Sequence, residues 1–198
     1  MIASILAALL LLAPVVTESG RFVIKQNGKT IGTEEFSIRT KDKGYSVEGR
    51  THLEGDPTTL TSRMELDENL IPTSYEYSRG AKGSIRVKVD TKTSSELVIT
   101  ENGKADSDTN FFYPPGAAII DNNFFHHYLI LLYRIKSAEQ SLAIFVPQDM
   151  QVGLAKVKST GKNTYALEVG SVKLEATVDE QGRLLRLSVP EAKVVVER

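Results

Sequence analysis

FFYPPGAAIIDNNFFHHYLILLYRIK, residues 111–136, has no counterpart elsewhere in the 198-residue chain. A Pro114-Pro115-Gly116 break opens it. Prolines fix φ and keep the preceding residue extended, so the backbone cannot be helical there. From Asn122 to about Lys136 no residue breaks a helix. Asp121 or Asn122 is a candidate cap, because a short polar side chain accepts from the free amides of a first turn. Phe124, Phe125, Tyr128, Leu131, Leu132 and Ile135 share one face at helical spacing. The other side carries Ile130, near His126 and Tyr133. A helix apolar nearly all round is buried nearly all round. The spacing therefore predicts one helix near 122–136, enclosed by the rest of the chain.

On both sides of this stretch, short alternating segments end in glycine, asparagine or proline. RFVIKQN (21–27) runs into Asn27-Gly28, a two-residue hairpin signal because both residues tolerate positive φ. Residues 45–54 alternate, with Tyr45, Val47, Gly49, Thr51 and Leu53 on one side and Ser46, Glu48, Arg50, His52 and Glu54 on the other. His52 belongs to the polar side and reads as a surface histidine. Met64, with Leu60 and Leu66, reads as core filler. Residues 104–110 are polar and read as a loop. Strand follows strand at short intervals with no second long helix, which favours antiparallel connections. The two strand-rich halves can be arms of one sheet, with no exact repeat between them. So many strands are expected to curl or close, and Gly32, Gly49 and Gly153 stand where bends would help. The expected fold is mainly β: a large, highly curved antiparallel sheet, of the open-barrel kind, around one central α-helix.

MIASILAALLLLAPVVTES, residues 1–19, is an apolar run followed by small and polar residues. It reads as a secretory signal, although no lysine or arginine precedes the run. The run is short for a membrane span. Residues 20–198 then form a single domain of a size that supports a substantial core. The formal net charge is −1 without a block of one sign, so a dominant nucleic-acid surface is not expected. The absence of cysteine rules out thiol nucleophiles, thiolate metal sites and a lipidated cysteine anchor. The chain is therefore expected in the bacterial envelope, secreted or periplasmic, with no integral span after signal removal.

No phosphate loop, zinc-protease helix or serine elbow is present. Asp106, Asp108 and Asp121 lack calcium-loop spacing, and no metal or cofactor is assigned. His126 and His127 are adjacent and point about 100° apart, so they are not a two-histidine metal pair. One reading makes them structural, one partly buried and one nearer solvent. The other places Asp121, Asn122, His126 and His127 at a pocket mouth, for head-group binding or acid–base work. The aromatic crowding around the helix can line an apolar groove. The candidate ligand-binding set is Phe111, Phe112, Tyr113, Asn122, His126, His127 and Tyr133. No catalytic residue is assigned.

Three turn-like motifs carry a family resemblance. They are Asn27-Gly28-Lys29-Thr30-Ile31-Gly32, Leu66 through Pro72 (LDENLIP), and Val178 through Leu184 (VDEQGRL). In these the chain resembles the uncharacterised DUF3108-like or DUF6134-like periplasmic proteins. That resemblance implies a β-spiral in an envelope setting and no established catalytic set. The favoured expectation is an exported binding or scaffold protein holding a lipid or other apolar ligand between sheet and helix. The alternatives are an assembly factor binding an envelope protein through a sheet edge or the 104–120 segment, and a hydrolase-like enzyme using Asp121, His126 and His127.

Overall fold

The structure, a computed structural model, describes residues 17–80, 83–88, 95–101, 104–111 and 113–198. The expected leader falls outside the described residues except for its last three positions. Fifteen strands and one helix follow in chain order. The first arm comprises β1 (Glu18–Gln26), β2 (Lys29–Lys41), β3 (Gly44–Leu53), β4 (Thr59–Leu66), β5 (Pro72–Ser78), β6 (Ser84–Lys88), β7 (Ser95–Glu101) and β8 (Lys104–Phe111). Then come β9 (Ala118–Ile119) and the helix α1 (His126–Tyr133). The second arm is β10 (Glu139–Val146), β11 (Gln151–Gly161), β12 (Thr164–Val169), β13 (Val172–Val178), β14 (Leu184–Val189) and β15 (Val194–Glu197).

All strands belong to one sheet, in the order β8-β7-β6-β5-β4-β3-β2-β1-β15-β14-β13-β12-β11-β10-β9. β1 and β15 pair antiparallel at its centre, so the first and last strands meet there and the arms fan outward. Every pairing is antiparallel except the short parallel contact of β9 with β10 at Ile144 and Phe145. With 61% strand and one eight-residue helix the protein is mainly β, as expected.

The expected closure and strong curl are not found. The sheet is open: β8 and β9 are its two edges and are not hydrogen-bonded to one another. The strands also run in register through two of the glycines expected to bend them. Gly49 faces Phe36 and Ser62, and Gly153 faces Ile144. The third, Gly32, does stand at a register shift, where Ile24 pairs with Gly32 and Lys25 with Thr30; another shift lies at Glu65/Leu66. The apolar face of the first arm is covered by α1 and the segment before it, with Thr51 bonded to Asn123 and Ser62 to His126.

Alternation decides which side faces that cover. On β3, Tyr45, Val47, Gly49 and Thr51 are buried while Arg50 and His52 are exposed. Met64 and Tyr75 are buried on the same side of their strands, in the core with Phe22, Ile38 and Leu187. Asn27-Gly28 turns with φ of 51° and 78°, the left-handed pair such a hairpin needs. Residues 104–110, expected as a loop, belong to β8, which pairs with β7.

The helix is shorter than its sequence pattern, spanning His126–Tyr133 instead of 122–136. Asn123 has a φ of 66°, a left-handed conformation that no helix continues through. Neither Asp121 nor Asn122 caps it. Six of its residues are buried: His126, His127, Leu129, Ile130, Leu131 and Leu132.

Candidate functional site

A carboxylate from the far side of the sequence anchors the helix start. Glu34, on β2, is wholly buried. Its Oε2 accepts from the Phe125 amide at 2.7 Å and its Oε1 from the His126 amide at 3.2 Å. Free amides and the positive end of the dipole make a helix N-terminus a natural seat for an anion. The same Oε1 also contacts His126 Nδ1. Because Glu34 is accepting from two amides already, Nδ1 is the donor here. In the neutral ring Nε2 is then left to accept from Ser62 Oγ, 3.3 Å away. Thr51 Oγ1 donates to the Asn123 carbonyl just upstream, at 2.8 Å.

Gly49 is what admits the imidazole. A Cβ there would lie 2.2 Å from His126 Cε1. Ser62, His126 and Glu34 have the hydrogen-bond order of a serine relay. Their placement fits a clamp better. Ser62 is buried on the helix side of β4, whereas Thr61 and Arg63, its neighbours, face outward with Glu48, Arg50 and Glu76 around a shallow polar groove. Ser62 and Gly49 also belong to the lining of that groove, but Ser62 is almost wholly buried and its hydroxyl is on His126.

A second buried network holds the segment before the helix. Tyr75 OH donates to Asp121 Oδ2 at 2.6 Å, and Asp121 Oδ1 accepts from the Asn122 and Gln148 amides, each at 3.1 Å. The Asp121 amide donates to His127 Nδ1 at 3.0 Å. Nε2 of the neutral ring must therefore carry the proton, and among the described residues it has no hydrogen-bond partner. Burial, and then the neighbouring His126, hold the His127 pKa well below its ordinary value. Burial raises the Asp121 carboxyl, against the donors that favour its charge. Burial and the adjacent Asp121 push the Tyr75 phenol far up.

The opposite wall of the helix segment is open. A cleft of about 420 Å³ separates it from the second arm. Phe124, Phe125 and Tyr128 form one side; Ile144, Val146, Val169, Leu174 and Val189, from β10, β12, β13 and β14, form the other. Gly153 lies in the β11 part of this wall, where an added Cβ would make only ordinary contact with Ile144, at 3.6 Å. Asn122, Asp149, Gln151 and Ser171 add polar groups, and Asn122 Nδ2 donates to Asp149 Oδ2 at 3.0 Å. Val152 and Val172 also belong to the lining and are 50% and 41% exposed, so the mouth is apolar too. Volume and lining suit a small apolar ligand.

Of the expected ligand-site residues whose side chains are described, Tyr113, Asn122, His126, His127 and Tyr133, only Asn122 lines this cleft. His126 and His127 are both buried in the networks that hold the helix, so neither is the solvent-side histidine of the sequence reading. Tyr113 is buried, donates to the Ala117 carbonyl at 2.6 Å and meets Phe145 edge-on. Tyr133 is at the other end of the helix, with its hydroxyl on Glu18. Phe111 ends β8, and Phe112 lies outside the described residues. Asp121, His126 and His127 do not converge on a nucleophile in a cleft: Asp121 meets His127 through its backbone amide, while His126 turns to Glu34. The sequence reading missed Glu34, Ser62 and the second-arm wall. For that wall the available signal was Gly153, a strand glycine with no bend to explain it. Among the described residues no cluster of metal-ligating side chains occurs, and no helix is long and apolar enough to cross a membrane.

Fold and cleft together define a mainly-β protein with one buried helix and an apolar pocket at its start. A crystal structure of a DUF1089 family protein from Pseudomonas aeruginosa is similar, with a TM-score of 0.50 and 11% identity over 80% of this chain and 90% of that one. The likeness is one of fold, to a bacterial β-rich family, and carries no residue across. No family model and no curated protein matches the chain, so the resemblance to the DUF3108-like or DUF6134-like groups in particular is not supported.

Proposed function

We propose that the chain is an exported cell-envelope binding protein that holds a lipid or other apolar ligand between α1 and the second arm of the sheet. The observation that carries this reading is the apolar cleft at the helix start. The apolar leader supports export. Gently purified protein should bring down an apolar ligand visible by native mass spectrometry. Gly153→Phe would fill the cleft from a regular strand position, and its ligand peak should vanish while the circular dichroism spectrum stays unchanged. Absence of copurified ligand, together with no uptake from a lipid extract, would count against the reading.

A second reading has its own observation. β9 covers β10 only at Ile144 and Phe145. Ser141 and the Ala143 amide point to the same side as Phe145, where no described strand pairs with them. Such an edge can accept a strand from an envelope protein. Ala143→Pro removes an edge amide without disturbing the β11 ladder. A partner bound by strand addition should be lost, and one bound elsewhere should be kept.

A further inference from the structure

The geometry points to a ligand of one charge class: a single apolar chain ending in a cationic head such as an ammonium group, and not in an anionic one. This rests on the cleft being a ligand site. Among the described residues no lysine, arginine or histidine lines the cleft, and the amides of the helix start are already taken by the Glu34 carboxylate, so a carboxylate, sulfate or phosphate head would find no countercharge there. The charged residues of the lining are Asp121 and Asp149. Asp121 is buried and accepts from Tyr75, Asn122 and Gln148. Asp149 is different. It is exposed, accepts from the Asn122 amide group, and makes no ion pair with a lysine or arginine among the described residues. It ends the short 3-10 turn after β10 and so sits where the cleft meets solvent.

The helix wall adds a second feature suited to a cation. Phe125 and Tyr128 line the cleft half-buried. Aromatic faces attract alkylammonium groups and repel anions. Burial pushes the Tyr128 phenol up to about 12, so near neutral pH that ring stays uncharged. An apolar chain would then lie against Ile144, Val169 and Leu174, with its head between the aromatic wall and the Asp149 carboxylate.

The test is isothermal titration near neutral pH with three amphiphiles of equal chain, each below its micelle concentration: decyltrimethylammonium, decanoate and a decyl glycol ether. The ammonium compound should bind about fivefold tighter than decanoate, as expected for one exposed charge contact plus one aromatic contact. Asp149→Lys should reverse that order. Phe125→Leu should shrink the ammonium advantage and leave the glycol ether affinity unchanged. Equal binding of the charged pair, or tighter binding of decanoate, would overturn the inference and leave the cleft reading standing. If none of the three binds, and Gly153→Phe behaves as wild type, the cleft reading itself fails and takes this one with it.

Discussion

Gly49 and Gly153 lack side chains for opposite reasons. On the first arm the space is filled: the His126 ring lies where a Gly49 Cβ would be. On the second arm it is left open, and the nearest atoms to a Gly153 Cβ are those of Ile144 at ordinary contact distance. One wall of the helix is therefore fixed by Glu34, Ser62 and Thr51, and the other faces a cleft. A binding site is most selective when the element carrying it is held by contacts the ligand does not need. Here the first arm supplies those contacts, and the second can receive a ligand without the helix letting go.

The largest break in this comparison is expected from Glu34→Leu. It removes the acceptor of two helix amides and the partner of a buried imidazole at once. Removing one member of a buried polar pair costs about 3–5 kcal/mol. Urea unfolding should show a loss of that size. A loss under about 1 kcal/mol would mean that the helix start is held by packing alone.

The glycine pair gives the sharper contrast. Gly49→Ala drives a methyl into a ring that cannot retreat, because Glu34 and Ser62 hold both its nitrogens. Overpacking of that kind costs about 1–3 kcal/mol. Gly153→Ala meets no such obstacle, and losing a strand glycine is worth about 0.5–1 kcal/mol of added stability. The two melting temperatures should therefore move in opposite directions. If both fall, the second arm is packed against the helix as tightly as the first.

Why the sequence showed some of this and not the rest follows from the range of each interaction. β3 was legible because alternation is a property of neighbours, and Tyr45, Val47 and Thr51 are buried where it put them. The turns were legible for the same reason. Asp67 and Asp179 each accept from the amides two and four residues on, in the same local arrangement. That is also why turn motifs made a poor guide to family: the bonding is satisfied within five residues and says nothing of the sheet around it. The helix cap was not legible, since Glu34 is 91 residues from the amide it accepts, and a local search fixed on Asp121 and Asn122. Closure was misjudged because strand number does not determine whether two distant edges pair. Gly49 and Gly153 look alike in sequence, and only their neighbours across the core distinguish them.

The smallest effect tests the fixed wall by pH. His127 is held neutral when folded, with its pKa well below the ordinary value, so the unfolded chain binds its proton first as pH falls. Its contribution is fully present above the unfolded value near 6.5 and is lost below it, at up to ~1.4 kcal/mol per pH unit. Asp121 works the other way. Its raised pKa makes the folded state take up a proton first, just above the ordinary carboxyl range, so lowering the pH there favours folding. Wild type should therefore lose stability between about pH 6.5 and 5, with the slope easing as Asp121 begins to protonate. His127→Gln keeps an acceptor for the Asp121 amide and removes the titration. Its stability should fall less steeply than wild type over that window. Equal slopes would mean that the ring is open to water, and that the wall behind the helix is looser than the first arm requires.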